Sequence, residues 1–177
     1  TARTETLYES VHGPVSHRNI EEGYAVAYRL SAYGQTNGGP QYLAMLRAET
    51  LDELDEAMEG LQVCHFNQIA ADSKGSIRYL WGGRIPQRPA GVNFKSIIEG
   101  TTSATLWDAD DVVRLADLPG VRDPECGFVQ NCNNSPQTTT LTKDDPQPES
   151  FLPGVVRGGG DTLRAWYLRS RLADPEV

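Results

Sequence analysis

Three asparagines within four residues, Asn131, Asn133 and Asn134, have the side chains most suggestive of chemistry in this sequence. A carboxamide donates N–H hydrogens without carrying charge, which suits an oxyanion that exists only in a transition state. The three follow Gly127-Phe128-Val129, which reads as a strand over 127–131, and precede Pro136. The same residues equally fit a turn, where Asn tolerates unusual backbone angles. Asn133-Asn134-Ser135 also matches the glycosylation acceptor pattern. Arg164 stands out next. It falls in the first turn of a predicted helix over 161–172, where the macrodipole disfavours a cation by about a few tenths of a kcal/mol. Pairing with Asp161 at i, i+3 accounts for it innocently; aiming a fixed positive charge at a polar site accounts for it as well.

Other chemistries find no support. There is no HExxH, GxSxG, Walker A or dinucleotide-binding glycine pattern. His12, His17 and His65 lack joint metal-ligand spacing, and each reads as a hydrogen-bonded structural residue. Gly158-Gly159-Gly160 has neither a preceding strand nor a Lys and reads as a flexible entry to the last helix. Cys64, Cys126 and Cys132 form no CxxC pair and read as free buried thiols, with one disulfide and a spare thiol as the alternative in an exported protein. Sixteen basic against 24 acidic side chains give a net charge of −8 and a pI near 4.8, the opposite of a nucleic-acid or anionic-membrane footprint. No apolar run approaches the roughly 18 residues of a bilayer span. The 177 residues suit one domain. The sequence opens at Thr1 with no signal segment, and reads as a processed product or a piece of a longer protein.

The elements that must position these side chains follow from pattern. Glu5–Ser10 and Tyr24–Ala32 read as strands, with a turn at 11–14 and a Gly/Asn-rich loop over 33–40. Thr50-Leu51-Asp52-Glu53 has capping-box spacing, and Leu51, Leu54, Met58 and Leu61 make a helical stripe ending near Gly60 as C-cap. The acidic cluster Asp52, Glu53, Asp55 and Glu56 reads as solvated surface. A hairpin follows: 65–71, a turn at Asp72-Ser73-Lys74-Gly75, and 76–81, with Ile77, Tyr79 and Trp81 on one face. A short helix is predicted around 110–115. The last helix takes Asp161 as N-cap and Leu163, Trp166, Tyr167 and Leu168 as its apolar members.

Four of these segments resemble one family in order and spacing. Val11-His12-Gly13-Pro14-Val15 resembles the "HGP" strand-turn of the penicillin acylase family of amidohydrolases. The stretch 69–79 (IAADSKGSIRY) resembles its "ADxxGNIxY" hairpin, and Gly83-Arg84-Ile85-Pro86-Gln87-Arg88 its "GxxPxR" continuation. The stretch 127–136 (GFVQNCNNSP) resembles its "GxIxNxNNxP" segment, in wording nearest the branch acting on acyl-homoserine lactones and acylated lipopeptides. The resemblance implies an α+β fold, part of an αββα N-terminal nucleophile hydrolase with stacked antiparallel sheets and outer helices. It implies that residues 1–177 are an internal part of the β chain, the nucleophilic Ser lying upstream. The substrates implied are acyl amides of β-lactams, N-acyl-homoserine lactones or acylated peptides. By motif match Asn133 becomes the oxyanion donor and Arg164 the active-site arginine, with Arg157 and Arg169 as less favoured alternatives. No cofactor is implied for this chain; calcium, bound by some members, could draw on Asp144 or Asp145. Partners are the remaining α and β segments of the precursor, with a periplasmic or secreted location. The rival readings are a stand-alone acidic binding module and a hydrolase using Thr1 as its nucleophile.

Overall fold

The computed structural model describes residues 2–63, 66–94, 96–148 and 160–174. Among these, two three-stranded antiparallel sheets and three α-helices make a mixed α+β architecture, as expected. The first sheet joins β1 (Glu9–Ser10), β2 (Gly13–Asn19) and β3 (Tyr24–Ala27). Of the residues expected as a turn at 11–14, Val11 and His12 form it, while Gly13 and Pro14 open a strand. Gly13 makes this possible: it sits at φ 106°, and a Cβ there would stand 2.3 Å from the Tyr28 carbonyl oxygen. The strand expected over 24–32 stops at Ala27. Beyond the Val15–Ala27 pair comes Pro14, which has no N–H, so Tyr28 donates to the Pro14 carbonyl without a return bond. The strand expected from Glu5 is likewise reduced to its last two residues, which the turn registers as Ser10 against Gly13.

Helix α1 (Gly38–Arg47) occupies part of the expected loop. Its first turn holds Gly38, Gly39 and Pro40, where a missing N–H breaks no intrahelical bond. Helix α2 (Leu51–Met58) has the expected box: Thr50 Oγ1 accepts from Glu53 N, and Glu53 Oε2 accepts from Glu49 N, one residue ahead of the cap. Its end differs from expectation. Leu61 rather than Gly60 takes the left-handed backbone, at φ 45°. That strain is offset by burial, since Leu61 joins Met58, Leu80, Ile85, Val113, Leu115 and Leu118 in the apolar core. Asp55 also departs from the solvated reading, because it is ion-paired with the buried Arg78.

The second sheet has β5 (Ile77–Gly82) at its centre, between β4 (Phe66–Ala71) and β6 (Gly120–Arg122). The β4–β5 turn is as read: Asp72 Oδ1 accepts from Lys74 N and Ser76 N, and Gly75 lies at φ 93°. Both faces of β5 are covered. Arg78 and Leu80 point to α2, with Arg78 Nη2 3.5 Å from Met58 Sδ. Tyr79, fully buried, points to the opposite side, where its hydroxyl donates to Asn67 Oδ1 at 2.6 Å.

No helix forms at 110–115. Val112 bridges Pro86, and Val113 N donates to Ile85 O at 2.8 Å, an extended pairing that suits two β-branched residues. A 3₁₀ turn follows at Leu115–Asp117. Buried Arg84 ties this segment to the chain after β3, donating to Ser31 O, Ala109 O and Asp110 Oδ1. His12 Nε2 is 2.9 Å from Gly100 O, a hydrogen-bonded placement as expected; His17 is exposed, its ring centroid 5.9 Å from that of Tyr24, and His65 is outside the described residues. No helix among the described residues is long and apolar enough to cross a membrane.

Candidate active site

The stretch 127–131 does not form a strand. Gln130 N donates to Thr139 O at 3.0 Å, but side chains then take over from any ladder. The chain turns back through a 3₁₀ turn at Pro136–Thr138, and the three asparagines divide the work of the corner. Asn134, buried, accepts on Oδ1 from Cys132 N at 2.7 Å and donates through Nδ2 to Thr138 O at 2.8 Å and Thr138 Oγ1 at 3.0 Å. Asn131 accepts from Asn133 N at 2.9 Å and donates to Asn134 O at 3.2 Å. These two build the turn. Asn133 is the residue they lift, in the left-handed region at φ 62° and exposed.

The carboxamide of Asn133 faces Arg164. Arg164 Nη2 donates to Asn133 Oδ1 at 3.0 Å and to Cys132 O at 3.0 Å. A guanidinium only donates, so the atom toward it is the amide oxygen and the NH₂ group points elsewhere. A charged donor on the oxygen draws electron density from the nitrogen and strengthens its N–H as a donor. The pair is thus a polarised amide with its donor end free of Arg164.

Helix α3 (Leu163–Leu172) carries Arg164 in its first turn. Its cap is Thr162, whose hydroxyl accepts from Ala165 N at 3.1 Å, and not Asp161. Nor does Asp161 pair with Arg164. It makes a two-pronged ion pair with Arg169, which also donates to Thr138 O at 2.7 Å. The Arg169 hydrogen bond holds the Asp161 carboxyl below its ordinary value, and Asp161 raises the guanidinium in return. The expected apolar members Leu163, Trp166 and Tyr167 face outward, while Ala165 is fully buried. The helix meets the corner through two cations, Arg164 and Arg169, whose donors suit the polar carbonyls they reach.

Behind the corner, buried Asp145 accepts on Oδ1 from Thr139 N at 2.7 Å, Thr140 N at 2.6 Å and Thr140 Oγ1 at 3.1 Å. Burial pushes the Tyr79 hydroxyl well above its ordinary value; the Thr139 hydroxyl pulls it down and the Asp145 charge adds to the rise. Asp145 is therefore occupied by backbone donors, and no group of three His, Cys, Asp or Glu among the described residues is placed to hold a metal. Cys126 and Cys132 are free thiols, half-buried rather than buried. Arg157, Cys64 and Thr1 lie outside the described residues, and Gly160 is described but in no regular element.

The sequence brings Asn133 and Arg164 to notice but misses what holds them: Gln130, Asp145 and the Asp161–Arg169 pair. Eight residues separate Asp161 from Arg169, beyond the i, i+4 spacing that pattern reading searches. Thr138 O, on which Gln130, Asn134 and Arg169 all converge, is backbone and leaves no trace in side-chain pattern.

The fold that carries these residues has a counterpart among solved structures. The solved thermostable penicillin G acylase from Alcaligenes faecalis superposes with a TM-score of 0.69 over 90% of this chain and 25% of its own, at 23% identity. Over that part the two chains share one fold. The sequence profile of the penicillin amidase family matches residues 1–177, and the chain belongs to that family. Penicillin G acylase of Escherichia coli is 28% identical over 165 residues, 92% of this chain and 18% of that protein. Penicillin acylase 2 proenzyme of Pseudomonas sp. (strain SE83) is 30% identical over 129 residues, 72% and 16% respectively. The chain spans less than a fifth of the length of these curated relatives.

Proposed function

We propose that this chain supplies the oxyanion-stabilising part of an amidohydrolase that cleaves acyl amides, residues 1–177 being an internal part of its β chain. The observation that carries the reading is the hydrogen bond from Arg164 to Asn133 Oδ1, which leaves a polarised N–H donor on a lifted, exposed residue. The nucleophile in this reading is the hydroxyl of an N-terminal Ser outside these 177 residues, with its own α-amine as base. As Ser oxygen bonds to the amide carbon, the carbonyl π electrons move to oxygen, and Asn133 Nδ2 donates to that oxyanion. Collapse re-forms the carbonyl, the C–N bond breaks, and the amine leaves with the proton taken from Ser. Water then cleaves the acyl ester by the same route. Arg164 orients the amide and polarises it without touching the substrate.

The substrate class is an acyl chain in amide linkage to a β-lactam, a homoserine lactone or a peptide. The partners are the remaining α and β segments of the precursor, and the location is periplasmic or secreted. Membership in a family whose relatives include penicillin acylases and a proenzyme supports this reading. Asn133→Gly in the processed enzyme tests the reading, because Gly accepts the left-handed backbone and removes only the carboxamide. The expected result is a kcat lower by about 10²–10³ with normal chain processing; an unchanged kcat overturns it. The 177 residues by themselves are expected to give no turnover of acyl amides, and steady product release from them would contradict the placement of the nucleophile.

A further inference from the structure

Two arginines on α3 compete for one nearby carboxylate, and the outcome decides where Arg164 points. Asp161 stands three residues before Arg164, a spacing at which a helix start brings opposite charges together. Yet Asp161 binds Arg169 through both carboxylate oxygens, and Arg164 donates instead to Cys132 O and Asn133 Oδ1. The winning pair is the more enclosed one, with side-chain exposures of 29% for Asp161 and 15% for Arg169. Arg169 is further fixed by Thr138 O, to which Asn134 and Gln130 also donate. No ion pair to Arg164 occurs among the described residues, so its charge is directed at neutral oxygens.

We infer that Arg169 is a positioning residue: by occupying Asp161 it keeps the Arg164 guanidinium on the Asn133 carboxamide. This rests on the oxyanion reading of Asn133. Without Arg169, the Asp161 carboxylate is free to draw Arg164 away and to neutralise the charge that polarises the amide. The effect of losing Arg169 is then a consequence of Asp161 being left alone, and removing Asp161 as well cancels it.

The experiment is a double-mutant cycle in the processed enzyme. Arg169→Met lowers kcat about tenfold with KM little changed, a smaller loss than removing the donor outright. Adding Asp161→Asn to that variant restores most of the lost rate. An Arg169 that served only to hold the fold would give no such recovery. The crystal structure of the Arg169→Met enzyme shows Arg164 turned from Asn133 to Asp161. Should that variant not fold, Arg169→Gln keeps a donor for Thr138 O without a charge for Asp161 and gives the same comparison. Unchanged kcat in the single variant, a double variant as slow as the single, or Arg164 still on Asn133 in the slowed enzyme each overturns the inference. Asn133→Gly run alongside separates the two claims. If it keeps full kcat, the oxyanion reading fails; if it loses activity while Arg169→Met does not, only the positioning role fails.

Discussion

On one side of β5, Leu80 lies among Met58, Leu61, Ile85, Val113 and Leu118; on the other, Tyr79 lies beside Thr139 and the Asp145 carboxylate. One strand thus separates a mainly apolar layer, into which the Arg78–Asp55 pair brings charge, from a polar layer built of hydrogen bonds with definite geometry. The apolar side can repack when a side chain changes size. The polar side cannot do so freely, because Gln130, Asn134 and Arg169 all donate to Thr138 O, and Thr139 N and Thr140 N both donate to Asp145 Oδ1. The contrast teaches where precision is placed: packing sets the sheet, and hydrogen bonding sets the angle at which Asn133 is presented.

Substitutions on the two sides test this contrast. Leu80→Ala should cost about 2–5 kcal/mol of stability, measured by denaturant unfolding, with kcat of the folded enzyme little altered. Asn133→Gly should do the reverse, changing unfolding by no more than about 0.5 kcal/mol while removing most of the turnover. If Asn133→Gly destabilises as much as Leu80→Ala, the corner is a packing element and the contrast fails. Asn134→Ala should show both effects, since it strands buried partners at a cost of about 1–3 kcal/mol and frees Asn133 from its lifted position. Tyr79→Phe removes the bond to Asn67 and should cost about 1 kcal/mol, with activity preserved.

The smallest effect concerns acid. The Asp161 carboxyl is lowered in the folded protein by Arg169, so the pair contributes fully above the unfolded value of about 3.9. That contribution is lost as pH falls through the lowered folded value. Asp161→Asn has nothing to titrate there, so its melting temperature should fall less steeply than that of the parent below about pH 4. Parallel curves over that range would show that the pair contributes nothing to folding.

Sequence pattern reveals the elements that depend on local rules. The Thr50–Glu53 box, the Asp72–Gly75 turn and the helix carrying Arg164 are set by neighbours within four residues, and each forms. The α+β class is readable through the four family-like segments together, Asn133 through the "GxIxNxNNxP" segment, and Arg164 through its resemblance to a downstream "GGxDR" or "RAxRI" setting. Contacts across distance are not readable. The burial of Arg78 against Asp55, the bridge from Pro86 to Val112 and the choice of Asp161 between two arginines are settled only by folding. The helix starting at Gly38 is hidden for another reason: two glycines and a proline argue for a loop unless they fall in the first turn.

The carbonyl of Thr138 receives Arg169 from the helix and Asn134 from the corner. Helix and corner are therefore pinned to a common point, and a tilt of one carries the other with it. A shift of this wall therefore moves the Arg164 guanidinium and the Asn133 carboxamide as one unit and keeps the distance between them.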